Sequence, residues 1–147
     1  MKILISDKLQ EEGVKIFKEN GFDVVKNYKI TNDELKEEIG NYDGIVVRSR
    51  TKLTAEVLER AKNLKVIGRA GVGLDNVDRK KAAELNIEVL NTPEAPSVSV
   101  AELALGLMFT LARHISNADR TMHCGEWDKS QYLGYTLKGK KLGVIGI

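Results

Sequence analysis

One cysteine, two histidines, two prolines and a single tryptophan are spread over 147 residues, and each scarcity narrows what the chain is able to be. Cys124 has no partner for an internal disulfide, so the fold must be held by its core, and a reducing, cytoplasmic setting is expected. Two histidines, His114 and His123, and one cysteine fall short of a structural zinc ligand set, so no metal site is expected. Aromatic residues are 5% of the chain, few for stacking on bases, and a net charge of +2 is too small to demand a nucleic-acid partner. Long hydrophobic runs are also missing. Ile3-Leu4-Ile5 is shorter than a secretory signal core, and the stretch Val98 to Ala112 is broken by Ser99, Glu102 and Thr110 before the 18 or so residues a bilayer span needs. Neither a nucleic acid nor a membrane is therefore expected as a partner. With 42% hydrophobic and 30% charged residues the composition is that of an ordinary globular chain, with room for one domain and a fraction.

What is present alternates between two periods. Lys2-Ile3-Leu4-Ile5-Ser6 reads as a strand, and from Asp7 a polar helical pattern begins that puts Leu9, Gly13, Ile16 and Phe17 on one face. Asn20-Gly21 stops that helix, and Phe22–Val25 reads as a second strand. Thr31 and Glu34 have the spacing of a capping box, predicting a helix that buries Leu35 and Ile39. Gly44–Val47 is apolar at every position, as a strand buried on both faces of a parallel sheet has to be. Thr54 can cap a helix carrying Val57, Leu58 and Ala61. Residues 64–68 give a fourth strand, Asp78 can cap a helix over 79–85, and residues 86–90 give a fifth. Strands and helices in this order predict an α/β fold with a doubly wound parallel sheet. Both prolines then fall within Asn91–Pro96, which reads as an extended linker. Ser99 and Glu102 offer a second capping box before a helix that is apolar on nearly all sides, residues 121–140 read as irregular, and Lys141–Ile147 reads as another strand.

Ligands of open parallel sheets gather at the carboxyl ends of the strands. Here the third strand runs into Arg48-Ser49-Arg50-Thr51-Lys52 and the fourth into Arg69-Ala70-Gly71-Val72-Gly73. Cations and hydroxyls thus converge on one edge, suited to a small anion because guanidinium donors match carboxylate or phosphate oxygens in pairs. Gly71 and Gly73 lack side-chain bulk, which lets backbone amides approach a ligand, though a tight strand-to-helix turn accounts for a lone Gly-x-Gly as well. Cys124 has no base beside it, and neither histidine has a partner at ligand or catalytic spacing.

Three segments together resemble the D-isomer-specific 2-hydroxyacid dehydrogenase family: Val47–Thr54 (VRSRTKLT), Gly68–Asp78 (GRAGVGLDNVD), and Asn91-Thr92-Pro93 with Ser99–Leu103. The resemblance runs over essentially the whole chain and is strongest to members acting on a phosphorylated 2-hydroxy acid. It implies that residues 1–95 form a flavodoxin-like substrate domain. Residues 96–147 would be the first helix and first strand of a Rossmann domain that binds NAD. By the resemblance, Arg48, Ser49 and Arg50 face the substrate phosphate or a neighbouring charge. Gly71, Val72 and Gly73 approach the substrate carboxylate, with Val72 and Gly73 donating from the backbone. Val72, Val100 and Gly146 lie toward the cofactor. Pro96 stands where the family often carries Asn, so a side-chain contact from that position is not implied. The family's catalytic His, acidic residue and Arg lie in segments after Ile147, as does most of the NAD site, so no catalytic residue is assigned. The chain is expected to be an N-terminal portion, inactive alone. Helix 100–113 and segment 121–140 are expected to build a homodimer or larger homo-oligomer. A sister enzyme reducing glyoxylate or hydroxypyruvate, and a non-catalytic NAD-sensing protein like the family's corepressor, are the competing readings.

Overall fold

The computed structural model describes residues 1–145, and the chain divides into two compact units, Met1–Pro96 and a second beginning at Ser97. The first unit runs β1 (Lys2–Ile5), α1 (Glu11–Glu19), β2 (Asp23–Lys26), α2 (Asn32–Glu38) with a 3-10 turn at Ile39–Asn41, β3 (Gly44–Val47), α3 (Ala55–Leu58), β4 (Val66–Arg69), α4 (Arg79–Glu84) and β5 (Glu88–Asn91). The five strands are parallel, in the order β2-β1-β3-β4-β5, which is the flavodoxin-like order. The winding reverses between β1 and β3, and ligands of open parallel sheets bind outside the carboxyl ends of the strands at such a switch point.

Local chemistry sets most boundaries. Thr31 Oγ1 accepts from the Glu34 amide at 3.3 Å while the Glu34 carboxylate accepts from the Thr31 amide at 2.8 Å, so the capping box is complete. Asp78 accepts from the Lys81 amide at 2.9 Å and opens α4 as expected. Thr54 occupies the N-cap of α3 but makes no side-chain cap bond. Gly21, at φ +78°, ends α1 in the left-handed conformation that favours glycine. The helix expected from Asp7 starts four residues later at Glu11, because Asp7 is drawn into contacts with the loop after β3.

Side-chain alternation divides the core. Leu4, Ile45, Val47 and Ile67 face α2, α3 and α4 and pack with Leu35, Val57, Leu58 and Ala82. On the opposite face Ile3, Ile5 and Val46 meet Val14 of α1, with Phe17 beside them. Gly44–Val47 is buried throughout, the two-sided burial that its unbroken apolar run predicts. Each such Leu or Ile contributes roughly 2–3 kcal/mol through the apolar area it removes from water.

The second unit contains α5 (Ser97–Arg113) and α6 (Ile115–His123), bent by 69° at His114, which takes a left-handed conformation at φ +54°. The start of α5 differs from the capping box expected at Ser99. The helix opens at Ser97, directly after Pro96, which has no N–H to leave unsatisfied. The expected irregular stretch is helical as far as His123, where Gly125 at φ +80° closes α6. The strand expected over 141–147 is not formed in residues 141–145, since a strand needs a hydrogen-bonded neighbour and none pairs with them. Its last residues, Gly146 and Ile147, lie outside the described residues. Val98, Val100, Leu103, Leu105, Leu107, Phe109 and Leu111 of α5 are exposed, and Ala112 alone in α5 and α6 is buried. No single helix among the described residues is long and apolar enough to cross a membrane; α5 and α6 reach that length only as the bent pair.

Candidate functional site

The carboxyl ends of β1, β3 and β4 lie side by side, with Ile5 in register with Val46 and Val47 with Arg69. The loops that leave them therefore meet at one edge of the sheet. Ser6, Asp7, Thr51 and Asn76 are the buried polar residues among those described, and all belong to these loops or to the contacts beneath them. Burying polar groups costs free energy unless each finds a partner, so their concentration here marks the place where the fold accepts that cost.

Asp7, only 4% exposed, supplies the centre. One carboxylate oxygen accepts from the backbone N–H of Arg48 at 2.6 Å and of Thr51 at 3.2 Å. The other accepts from the Thr51 hydroxyl at 3.0 Å and from Arg50 Nε at 3.0 Å. Burial alone would raise the Asp7 pKa. The donated hydrogen bonds from Arg48 and Thr51, with the Arg50 charge, outweigh that effect and hold the carboxyl below its ordinary value. From the other side Asn76 Nδ2 donates to the carbonyl oxygens of Arg48 and Thr51, each at 2.7 Å.

The two arginines of this loop have different surroundings. Arg50 is folded back: besides Asp7, its guanidinium donates to the carbonyls of Ile30 at 3.1 Å and Ser6 at 2.6 Å, although half of the side chain is still exposed. Arg48 reaches only the Lys8 carbonyl, at 3.4 Å, and neither Arg48 nor Lys8 enters an ion pair among the described residues. Lys8, Arg48, Ser49 and Arg50 line an open cavity of about 360 Å³ with Asp7 and Tyr28. Tyr28 brings a buried hydroxyl with no hydrogen-bond partner.

The adjacent loop after β4 is built from backbone. The carbonyls of Gly71 and Val72 accept from Thr92 N at 3.1 Å and Asn91 Nδ2 at 2.7 Å, which ties this loop to the end of β5. Gly71 sits at φ +149°, and a Cβ there would run into the Arg69 guanidinium. Glycine is thus favoured by conformation, while the guanidinium, at the far end of a flexible side chain, would have to move aside for a larger residue. Val72 is half exposed, and the amides of Val72 and Gly73 make no hydrogen bond among the described residues. The loop can accordingly present two N–H donors and one apolar side chain to a ligand.

The structure thus brings Arg48, Ser49 and Arg50 into one loop and Gly71, Val72 and Gly73 into its neighbour, all on the first unit. Val100 is exposed near the start of α5 in the second unit, and Gly146 lies outside the described residues. Val72 and Val100 offer apolar surface and no side-chain polar hold. The described residues do not by themselves make a dinucleotide site. Two residues escaped the sequence reading: Asp7, which reads locally as a helix start, and Asn76, which reads as an ordinary turn residue. Arg69, one of the strand-end cations expected from the sequence, has its Nε buried at the end of β4 without a partner among the described residues.

Comparison with known proteins places this geometry. The family model described as "D-isomer specific 2-hydroxyacid dehydrogenase, catalytic domain" matches residues 3–142. The D-3-phosphoglycerate dehydrogenase of Methanocaldococcus jannaschii is 50% identical over 147 residues, all of this chain and 28% of its own length. The chain therefore spans little more than a quarter of that relative. Among solved structures, the TT0316 protein of Thermus thermophilus superposes with a TM-score of 0.84 at 29% identity, covering 95% of this chain and 46% of its own. The NAD+-bound 3-phosphoglycerate dehydrogenase of Entamoeba histolytica gives 0.67 at 33% identity, covering 77% and 39%. With the strand order, the cationic strand-end loop and the glycine loop beside it, these matches make the chain a member of the D-isomer-specific 2-hydroxyacid dehydrogenase family.

Proposed function

We propose that this chain supplies the substrate-binding domain of an NAD-dependent D-3-phosphoglycerate dehydrogenase, which oxidises 3-phosphoglycerate to 3-phosphohydroxypyruvate on the route to serine in the cytoplasm. The observation that carries the reading is the edge at the ends of β3 and β4. Arg48 after β3 and Lys8 after β1, neither in an ion pair among the described residues, line one cavity, and the amides of Val72 and Gly73, without a hydrogen bond among the described residues, stand in the loop after β4. A substrate with phosphate at one end and carboxylate at the other has a complement in each. Cationic side chains suit the dianion and backbone amides suit the carboxylate.

Oxidation at C2 would need an acceptor for the hydride and a general base for the hydroxyl proton. No residue of this chain is assigned to that proton. Its residues would bind and orient: the Arg48 loop would hold the phosphate, the Gly71–Gly73 loop would fix the carboxylate, and the half-exposed Val72 side chain would offer the nicotinamide apolar surface. NAD, when bound, supplies the hydride acceptor. Self-association through α5 belongs to the same reading, since the exposed apolar residues of that helix form a patch of the kind that marks an interface.

Steady-state kinetics of the polypeptide that carries this chain tests the substrate. Arg48→Ala should lower kcat/KM for 3-phosphoglycerate by about tenfold or more while leaving D-glycerate oxidation within about twofold, as expected for loss of a charge-assisted contact. Equal losses on both acids would remove the phosphate from this loop.

A further inference from the structure

We propose that Asp7 and Asn76 are positioning residues, which clamp the backbone of the Arg48–Thr51 loop from opposite sides so that its tip is preformed as an anion-binding turn. The proposal rests on the reading of this edge as a substrate site and adds residues that touch no substrate.

The clamp is nearly symmetric about the loop. Asp7 takes the N–H groups of Arg48 and Thr51, and Asn76 gives its two amide hydrogens to the C=O groups of the same two residues. With both backbone groups of both residues held, the intervening Ser49 and Arg50 are fixed as a protruding tip. The amides of Ser49 and Arg50 make no hydrogen bond among the described residues, and the residues are exposed. Successive free N–H groups in a turn form a concave positive site for an oxyanion. The Ser49 hydroxyl and the Arg48 guanidinium stand at its rim, in the same cavity as Lys8.

Clamping matters because the loop would otherwise be soft. Residues 48–52 lie between β3 and α3 with no helix or strand hydrogen bonds of their own. A tip free to sample other conformations would lose affinity in proportion to the fraction of time it is misaligned. Asp7 suits the task because a buried carboxylate holds several donors at once and more firmly than a neutral acceptor. Arg50 completes the device. Its Nε bond to Asp7 neutralises the buried charge, and its bonds to the carbonyls of Ser6 and Ile30 fasten the loop to the ends of β1 and the segment before α2. Thr51 is 3% exposed, so its hydroxyl bond to Asp7 serves the clamp and cannot reach a ligand.

The test is a titration of the 147-residue chain with inorganic phosphate, 3-phosphoglycerate and D-glycerate, read at the Ser49 and Arg50 amides by NMR. Both phosphorylated probes are expected to shift these amides. Asp7→Asn should weaken phosphate binding about tenfold, and Thr51→Val about threefold, the size of one net hydrogen bond or less. Combined with Arg48→Ala, Asp7→Asn should lose less than the product of the two single losses, because it acts through the loop that carries Arg48. Undiminished affinity in a folded Asp7→Asn chain, or strict multiplication in the double variant, would overturn the proposal. Where Asp7→Asn abolishes the dispersed spectrum, Thr51→Val decides alone: unchanged affinity there is equally fatal. Wild-type amides that no anion moves would also sink it. Equal binding of D-glycerate and 3-phosphoglycerate would instead reject the phosphorylated substrate and leave the clamp standing.

Discussion

The two units of this chain treat their apolar residues in opposite ways. In Met1–Pro96 the strands carry their Ile, Leu and Val side chains into two clusters on either side of the sheet. From Ser97 the most apolar helix of the chain, α5, leaves Leu103, Leu105, Leu107, Phe109 and Leu111 exposed. Hydrophobic content is therefore a poor guide to where a chain stores its stability. What matters is whether neighbouring elements bring complementary faces together: α2, α3 and α4 do so for one face of the sheet, and α1 does so for the other.

The largest expected effect breaks the first unit at its centre. Leu4 is fully buried between β2 and β3 and packs into the cluster under α2 and α3. Leu4→Ala should cost about 3–4 kcal/mol through lost transfer energy and the cavity left behind. The same truncation at Leu107 should stay within about 0.5 kcal/mol in dilute solution, because the side chain is already in water. Urea unfolding of the two variants measures both. Comparable losses would mean that α5 is covered in solution.

The fold was legible in the sequence because its signals are local. A run such as Gly44–Val47 is apolar at every position, and Thr31 with Glu34 or Asp78 with Lys81 completes its cap within three residues. The cations at the strand ends were legible for the same reason, since β3 leads straight into Arg48. The clamp was not. Asp7 reaches Arg48 and Thr51 across 41 and 44 residues of sequence, and Asn76 reaches back over 28 and 25. No periodicity records such pairings, and Asp7 followed by a polar helical pattern resembles a helix start. Residues 141–145 show the converse. Their apolar run suits a strand, yet a strand is a property of two segments, and none pairs with this one among the described residues.

Next in size are changes to the buried network, which test whether the first unit's polar interior is as consequential as its apolar one. Asp7→Asn removes the charge that faces Arg50 and turns an acceptor into a donor, and should cost about 2–3 kcal/mol at neutral pH. The pH dependence follows from the direction of the Asp7 shift. Its folded pKa lies below the ordinary value of 3.8, so the unfolded chain takes up the proton first. The stabilisation is complete above that unfolded value and is lost as pH falls through the folded one. The charged group that faces Asp7 is Arg50, with Lys8 in the same cavity. Urea midpoints of wild type and Asp7→Asn should therefore differ most at neutrality and draw together as pH falls from about 3.8 through the lower folded value. A gap that persists unchanged into acid would place the stabilisation elsewhere.

Asn76→Asp is a smaller and more pointed change. The two Nδ2 hydrogens now donate to the carbonyls of Arg48 and Thr51, and an ionised carboxylate of the same shape would set oxygen against both. A loss of about 1–2 kcal/mol is expected at pH 7, shrinking as acid protonates the new carboxyl. Thermal melts at pH 7 and pH 4 read the difference, and equal losses at the two values would show that the repulsion is not what destabilises.

The smallest effect on folding carries the other side of the comparison. Val100, Leu103, Leu107 and Leu111 follow one stripe of α5 at helical spacing, and all four are exposed. Replacing Leu103 and Leu107 with Ser together should move the urea midpoint of the first unit by less than about 0.5 kcal/mol equivalent, since no buried contact is lost. Its consequence should appear in mass. Sedimentation equilibrium should find the wild-type chain associating with rising concentration, because removing a stripe of this kind from water is the main favourable term in protein association. The double variant should shift toward monomer. If the wild type sediments as a monomer at every concentration, α5 is not an interface between copies of this chain, and its exposed leucines require a different cover. If the variant associates as strongly as the wild type, the surface that joins the copies lies off this stripe.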